Sequence, residues 1–369
     1  MTKHIPMYKE IEKYIIDQIR SNKWPPLSRI PSENELAEQF QVSRITIKNA
    51  LTALVEQRIV FRQQGKGTFV ASDYHQALQR LTKTVSLSEK QDRTVAFLIP
   101  RLDNRFTARI LSGIEDELAK NNCKLLFAKT NDSQPLEILK IKEMMEYPID
   151  GLIIYPVEGE TYNNELLSLT LSKFPLVLVD RLLKGIETNS VSSDHYAASI
   201  AAVQHLYQLG HTNIGFVSSK PEGTSSIEER IAGFEMGLEQ HHILIDRSLQ
   251  LTTLNYRLPM EENVVHLRQF LTDHPQLTAI IVSGFGPHAT KTAIDMGLEL
   301  PRELSIIYFD DIEYPELSLI SPTVIAQPAQ EIGREAVRLL LAQMDGNIAK
   351  AQQVRLPTEL IVRHSTAPL

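Results

Sequence analysis

Apolar residues near the amino end recur at a helical period. Ile11, Ile15 and Ile19 share one helix face, which predicts a helix over about residues 6–21. The WPP sequence at residues 24–26 prevents that helix from continuing, because proline lacks the amide hydrogen that a helix interior requires. The chain therefore opens with one short amphipathic helix that ends at a break.

Two further helices follow and are joined by a tight turn. Ser32 and Glu35 have the three-residue offset of a capping box, which predicts a helix beginning at Ser32. A third helix is expected after Ser43, with Ile47 and Leu51 on its inward face. Two helices joined by so short a turn form a helix-turn-helix.

The apolar period then changes from helix to strand. Residues 59–61 and 68–70 are β-rich, and a glycine-containing loop at 63–67 joins them as a hairpin. A hairpin at this place predicts a winged helix-turn-helix over residues 1–71. Residues 72–93 carry no strong apolar period and are interpreted as a linker.

From Thr94 onward, short apolar runs alternate with longer amphipathic segments. Runs such as VAFLI, GLIIY and PLVLVD are apolar on both faces, as expected for parallel strands covered by helices on two sides. The predicted fold class is thus an α+β winged helix-turn-helix followed by an α/β body with two Rossmann-like lobes. We expect lobe one at about 94–210 and 324–350, and lobe two at about 211–323 and 351–369.

Charge and composition separate the two parts further. Residues 1–72 hold 11 Lys and Arg against 7 Asp and Glu, a net charge of +4, whereas the rest of the chain carries −11. This distribution points to a polyanionic partner for the basic domain alone. With no apolar run of membrane-spanning length and no secretory leader, we expect a cytoplasmic protein. The single cysteine, Cys123, excludes an internal disulfide and a thiolate-rich zinc site, and we expect no metal or cofactor.

The first turn of the third helix carries side chains suited to DNA. Ser43 would cap the helix, and Arg44 can bond two acceptors on a guanine edge or grip a phosphate. Thr46 can reach backbone oxygens, and Lys48 lies one turn beyond Arg44. Glu33 would either accept from a cytosine amine or order Arg44.

The hairpin tip suits close approach to a DNA groove. Gly65 and Gly67 let the backbone come near a minor groove, and Lys66 supplies a positive charge. RIPSENELAEQFQVSRITIKNAL followed by GKGTFV resembles the DNA-binding domain of the GntR family of bacterial transcription regulators, over residues 5–70. The resemblance implies a homodimer on a palindromic operator, with the third helix in the major groove. Carried over by position, it implies DNA contacts at Arg29, Glu33, Ser43, Arg44, Thr46, Lys48, Gly65, Lys66 and Gly67.

Polar and aromatic side chains follow the predicted strands of the body. In open α/β sheets, ligands bind beyond the carboxyl ends of the strands. Carboxylates and arginine bind sugar hydroxyls, while an aromatic ring covers the C–H surface of a sugar, so this inventory predicts a cleft for a neutral polyol. The side chains at these ends include Phe106, Asp180, Arg230, Tyr256 and Asp310.

GLIIYP, PLVLVDR, ERIAGFEMGL and LPTELIVRHS resemble the effector domain of LacI-type repressors, over about residues 94–369. The whole architecture is similar to that of the arabinose-responsive repressors of Gram-positive bacteria. By position, the resemblance implies effector contacts at Phe106, Asp194, Arg230 and Asp310. After TAIIV the family usually has Asn-Asp, whereas this chain has SGFG at 283–286, where Phe285 would offer a stacking surface.

Together these features predict a dimeric, ligand-responsive transcriptional repressor that a small effector releases from its operator. A sugar is expected, with arabinose or another pentose as the first candidate. Two alternatives stay open, a body that acts on sugars as an enzyme and a body that binds a protein co-repressor. No carboxylate pair or nucleophile at motif spacing supports an enzyme, so we expect no catalytic residues.

Overall fold

The structure is a computed structural model that describes residues 7–21, 23–56, 58–63, 66–72, 74, 93–157, 159, 163–312, 320–347 and 350–369. The chain divides into two compact units, Met1–Gln91 and Asp92–Leu369. Most of the predicted linker at 72–93 lies outside the described residues, and so does Gly65. None of the helices in the described part of the chain combines the length and the apolarity needed to span a membrane.

In the part of the first unit that the structure describes, there are three helices and a two-stranded antiparallel sheet. Its elements are α1 (Met7–Arg20), α2 (Glu33–Phe40), α3 (Arg44–Glu56), β1 (Val60–Gln63) and β2 (Gly67–Val70).

The capping box at the start of α2 is present. The Ser32 hydroxyl accepts from the Glu35 amide, and the Glu35 carboxylate accepts from the Ser32 amide at 2.7 Å. Gln41 ends the helix in the left-handed region at φ 52°. This turn lets α3 pack across α1 and α2 around a core that includes Ile15, Leu36 and Leu51. The predicted winged helix-turn-helix is therefore confirmed.

The described residues of the second unit form two six-stranded sheets, each with helices packed against it. The first sheet is parallel throughout and has the order β13-β7-β6-β5-β3-β4. Its strands are β3 (Thr94–Ile99), β4 (Lys124–Lys129), β5 (Gly151–Ile154), β6 (Leu176–Val179), β7 (Asn189–Ser193) and β13 (Gln353–Leu356). The helices of this lobe are α4 (Arg105–Lys120), α5 (Gln134–Met145), α6 (Asn164–Leu171) and α11 (Ala329–Met344).

The second sheet has the order β14-β12-β11-β10-β8-β9, and β14 pairs antiparallel with β12. Its strands are β8 (Ile214–Ser219), β9 (Gln250–Leu254), β10 (Ala279–Ser283), β11 (Ser305–Phe309), β12 (Thr323–Ala326) and β14 (Glu359–Ile361). The helices of this lobe are α7 (His195–Gln208), α8 (Ser225–Gln240), α9 (Met260–Asp273) and α10 (Gly286–Asp295), with a short 3-10 turn at Arg247–Leu249. Two lobes of this kind confirm the predicted fold class.

The chain crosses between the lobes three times, and the crossings differ from the expected boundaries at 210, 324 and 351. Helix α7 packs on α8 in the second lobe, so the first crossing lies between Ser193 and His195. Strand β12 belongs to the second sheet and β13 to the first, which moves the other two crossings to about residues 327–328 and 357–358. Strands β7 (NSVSS) and β13 (QVRL) are too polar to be found by an apolar pattern.

Candidate nucleic-acid interface and ligand cleft

The first turn of α3 presents polar side chains on the surface of the first unit. The Ser43 hydroxyl accepts from the Thr46 amide at 3.3 Å and lies 2.9 Å from the Thr46 hydroxyl, so Ser43 caps the helix as expected. Arg44 and Lys48 are both exposed. Because the first amides of a helix lack partners within it, this end also favours an anion.

Glu33 holds two arginines from different elements. Its carboxylate accepts from Arg44 Nε at 3.1 Å and from Arg62 at 3.2 Å. This contact fits one of the two roles expected for Glu33, the ordering of Arg44, and a DNA contact by Glu33 stays a prediction. Arg62 was not predicted, because it lies in strand β1 and not in the helical motif.

The wing begins β2 at Gly67, which has φ +115°. This backbone conformation favours glycine, whereas an added Cβ would lie 2.9 Å from Nε of the flexible Arg29 side chain, which could move away. Lys66 beside it is exposed. A recess of about 330 Å³ separates the wing from α2 and α3, and it is lined by Ser32, Glu33, Asn34, Arg44, Arg62, Gln63, Gly67 and Thr68.

A larger cleft of about 650 Å³ opens at the carboxyl ends of strands from both lobes of the second unit. Five of the six predicted effector residues line it, namely Phe106, Asp180, Arg230, Tyr256 and Asp310. The sixth, Asp194, is not among the described lining residues. Its carboxylate caps α7 by accepting from the Ala197 amide at 3.0 Å. Asp194 follows strand β7, and one of its oxygens is used by the following helix. The effector contact expected at Asp194 stays a prediction.

Arg230 is fixed inside the cleft by three neighbours. One terminal nitrogen donates to the Ser283 hydroxyl at 2.7 Å, and Nε donates to His195 Nδ1 at 3.3 Å. The guanidinium also lies 4.4 Å from the centre of the Phe309 ring. His195 and Ser283 were not predicted, since a buried histidine and serine carry no sequence signal of their own.

Asp180 lies on the other side of His195. Its Oδ2 accepts from the Tyr155 hydroxyl at 2.6 Å, and its Oδ1 faces His195 Nε2 at 3.5 Å. Because His195 Nδ1 accepts from Arg230, the proton of the neutral imidazole resides on Nε2, toward Asp180. The four side chains therefore form one polar chain from Arg230 to Tyr155.

Burial and charge set the protonation of this chain. Burial acts to raise the pKa of Asp180, but the contact with His195 and the charges of Arg230 and Arg181 outweigh it and hold that pKa well below its usual value. Burial, followed by the charge of Arg230, lowers the pKa of His195. The cleft thus holds an ionised Asp180 beside a neutral imidazole.

Asp310 has a different environment from Asp180. Burial raises its pKa, although Arg230 and a hydrogen bond from Gln327 act against that rise. Both aspartates have positive φ, 66° for Asp180 and 76° for Asp310. Such values are uncommon for residues other than glycine and occur often at functional sites.

Arginines cover the faces of several aromatic rings in the cleft. Arg101 lies 4.7 Å from the centre of the Tyr256 ring, and Arg181 lies 4.7 Å from that of Tyr155. Phe106 instead meets Tyr155 edge to face at 6.5 Å. Among the described lining rings, Phe106 is therefore better placed than Tyr256 to offer an open face.

Two groups of contacts join the lobes at the rim of the cleft. On one side, Arg105 of α4 donates to the Asp311 carboxylate at 3.2 Å and to the Ile312 carbonyl at 2.7 Å. Arg363 holds the same Asp311 carboxylate at 2.8 Å.

The second group of rim contacts lies around Asp132, which follows β4. Arg101 pairs with its carboxylate at 2.9 Å, and Arg257 of the other lobe donates to its carbonyl. Arg101 and Asp132 belong to the same lobe, so two interactions cross between the lobes here, the Arg257 hydrogen bond and the contact of Arg101 with the Tyr256 ring. We call these two groups the Asp311 clasp and the Asp132 clasp.

The loop after β10 shapes the wall behind Tyr256. Phe285 is buried and stacks on Tyr256 with ring centres 4.3 Å apart, so the expectation that it offers a surface to the ligand is wrong. Gly284 has φ +83°, and a Cβ there would lie 1.6 Å from the Tyr256 hydroxyl. A Cβ at Gly286 would lie 2.5 Å from the Tyr308 ring. In place of the expected Asn-Asp, two glycines make room for two tyrosines.

Comparison with known proteins finds related sequences for both units. Residues 7–70 match the family described as "Bacterial regulatory proteins, gntR family", and residues 203–366 match "Periplasmic binding protein-like domain". The chain is 26% identical to the arabinose metabolism transcriptional repressor of Geobacillus stearothermophilus over 372 residues, which cover 99% of this chain and 98% of that protein.

Solved structures are similar mainly to the second unit. A putative ribose operon repressor from Burkholderia thailandensis superposes with a TM-score of 0.65 at 26% identity, covering 73% of this chain and 99% of that chain. A transcriptional regulator CelR–cellobiose complex superposes with a TM-score of 0.67 at 20% identity, covering 91% of this chain and 100% of that chain. At that identity the second likeness concerns the fold alone.

Proposed function

We propose that this chain, which joins a gntR-type winged-helix domain to a periplasmic-binding-protein-like domain, is a ligand-responsive transcriptional repressor. The observation that carries the proposal is the pairing of an exposed cationic helix start, at Ser43 and Arg44, with a deep polar cleft between two lobes. One part suits a polyanion and the other a small polar molecule. The names of the similar proteins, which are transcription regulators, support the same function.

In this proposal α3 enters the major groove and the wing approaches the minor groove. Arg44, ordered by Glu33, reads a base edge or a phosphate, and Lys48 extends the contact by one turn. Arg29, Ser43, Thr46, Lys66, Gly67 and Gly65 complete the interface. The repressor acts as a homodimer on a palindromic operator, in the cytoplasm, where the chromosome lies.

The effector in this proposal is a sugar. Asp180, Arg230 and Asp310 supply acceptors and donors for hydroxyl groups, and Phe106 covers the C–H face of the ring. Arabinose or another pentose is the first candidate, because a relative that matches along nearly the whole chain is named for arabinose metabolism. Asp194 and Tyr256 act indirectly, the first by capping α7 and the second within the Asp132 clasp.

The effector changes DNA binding by a shift between lobe arrangements. It enters between the lobes and favours the arrangement that the two clasps hold together, and the dimer then releases its operator. A 100-fold release requires the effector to prefer the non-binding state by about 2.7 kcal/mol. Charged contacts at a solvent-exposed rim contribute about 0–1 kcal/mol each. The clasps alone therefore do not fix one lobe arrangement, and a ligand can shift the equilibrium between arrangements.

A thermal-shift panel with pentoses, hexoses, disaccharides and phosphosugars tests the effector. A direct sensor gains stability with its ligand, by about 2.7 kcal/mol at 100 times the dissociation constant. A body that binds only a protein co-repressor would show no shift with any sugar, and an enzyme would turn the sugar over. Gel-shift titration with duplexes from the chain's own promoter region then tests whether the active sugar weakens DNA binding.

A further inference from the structure

Arg62 of the wing strand β1 lies where two DNA-binding elements meet. It pairs across the hairpin with Thr68 and lines the recess between α3 and the wing. Its guanidinium donates to Glu33 Oε1 at 3.2 Å, while Glu33 Oε2 accepts from Arg44. One carboxylate is thus shared by two guanidiniums, which leaves this part of the surface with a net positive charge.

The contact with Glu33 does not account for Arg62 by itself. The Arg62 side chain is 40% exposed, and an ion pair at that exposure adds little to stability, about 0–1 kcal/mol. A guanidinium also has five N–H donors in a planar fork, and Glu33 engages one of its nitrogens. The group therefore keeps donors for a second partner on its open side.

The geometry of duplex DNA identifies that partner. Neighbouring major and minor grooves are separated by one sugar–phosphate backbone. A side chain between an element in the major groove and an element in the minor groove must face that backbone. We propose that Arg62 binds a DNA phosphate at the border between the two grooves. The inference rests on the proposed function, and it adds a residue that the helix-turn-helix motif does not contain.

The salt dependence of DNA binding tests this proposal, because each phosphate contact adds about 0.9 to the slope of log K against log salt. We compare full-length wild type, Arg62→Gln, Arg62→Lys and Arg20→Gln on two probes, a promoter duplex and a duplex of arbitrary sequence. Arg20 is exposed at the end of α1, outside the recess, so Arg20→Gln removes the same charge elsewhere on the domain. Thermal melting confirms that each variant is folded.

We expect Arg62→Gln to reduce the slope by about 0.9 on both duplexes. When the salt concentration rises from 50 to 200 mM, the fold-loss of DNA affinity is then about 3.5 times smaller for Arg62→Gln than for wild type. Arg62→Lys and Arg20→Gln should keep the wild-type slope, since a lysine still carries the charge to the phosphate. Equal slopes for Arg62→Gln and Arg20→Gln would overturn the proposal and leave the proposed function intact. Wild type that binds neither duplex at low salt would overturn both.

Discussion

Arg44 in the first unit and Arg230 in the second carry the same guanidinium in opposite surroundings. The Arg44 side chain is 68% exposed and is oriented by Glu33. Arg230 is 6% exposed and is enclosed by Ser283, His195 and an aromatic ring. An exposed cation attracts a polyanion and gains from the release of counterions. A buried cation has already lost its water, so its neighbours must compensate its charge whether or not a ligand is bound.

This difference separates what each arginine contributes. Arg44 adds little to folding, because surface ion pairs are weak, and its effect should be seen in DNA binding. Arg230 compensates the carboxylates of the buried Asp180 and the half-buried Asp310, so its effect should be seen in stability as well as in ligand response. The DNA-binding surface is therefore separable from the fold that supports it, whereas the cleft is part of the core of its unit.

The largest effect is expected for Arg230→Ala. Removing one partner of a buried charge network leaves the other charges uncompensated, at a cost of about 3–5 kcal/mol. Urea unfolding should show this loss, and the thermal shift with the active sugar should disappear. Arg302, an exposed arginine of the same unit, provides the control, and Arg302→Ala should change stability by less than about 0.5 kcal/mol. A stable Arg230→Ala protein that still responds to the sugar would break the comparison.

Gly284→Ala tests the packing behind Tyr256. The added Cβ would lie 1.6 Å from the Tyr256 hydroxyl, so the ring must leave its place between Phe285 and Arg101. Overpacking of this kind costs about 1–3 kcal/mol. Gly297 has a similar φ of +84° with nothing within 4 Å of its added Cβ, so Gly297→Ala measures the backbone cost alone. The difference in unfolding free energy between the two variants should therefore be about 1–3 kcal/mol, and equal values would mean that Tyr256 moves without cost.

The two units also differ in how much of them could be predicted from the sequence. The helix caps at Ser32 and Ser43 could be predicted, because a cap depends on residues three positions apart. Phe106, Asp180 and Asp310 could be predicted in the cleft because the carboxyl ends of parallel strands meet at one edge. Their roles as ligand contacts stay predictions.

What could not be predicted depends on contacts between distant parts of the chain. His195 and Ser283 matter only because Arg230 lies between them. Arg62 matters only because β1 folds beside the start of α2, 29 positions earlier in the chain. The polar strands β7 and β13 become strands through pairing with each other, which no local pattern encodes.

Arg44→Ala should have its effect on DNA binding. We expect operator affinity to fall by about 1–3 kcal/mol because one base or phosphate contact is lost. The melting temperature should stay close to that of wild type, since the side chain is largely exposed. Fluorescence anisotropy with a promoter duplex at fixed salt measures the operator affinity, and a thermal melt measures the melting temperature. Arg20→Ala, which removes an exposed arginine at the end of α1, serves as the control. Unchanged operator affinity would show that Arg44 makes no contact that contributes to DNA binding.

The smallest expected effect is a pH dependence confined to the second unit. Burial, and then the charge of Arg230, lowers the pKa of His195 below its usual value of 6.5. As the pH falls, the imidazole is therefore protonated at a higher pH in the unfolded chain than in the folded chain. Above pH 6.5 the group has little effect, and stability falls as the pH drops from there toward the folded pKa. Between pH 7.5 and 5.5 this loss is at most about 1.4 kcal/mol, because the unfolded histidine is then mostly charged.

Urea unfolding at pH 7.5 and pH 5.5 measures that loss, with His195→Gln set against His266→Gln. The first variant removes the buried imidazole while its amide oxygen can still accept from Arg230, and the second removes an exposed imidazole of α9. His195→Gln should therefore lose less stability than wild type on acidification, whereas His266→Gln should behave as wild type does. If both variants lose as much stability as wild type between pH 7.5 and pH 5.5, protonation of His195 does not cause the loss. The contrast with Arg44 would then rest on the carboxylates alone.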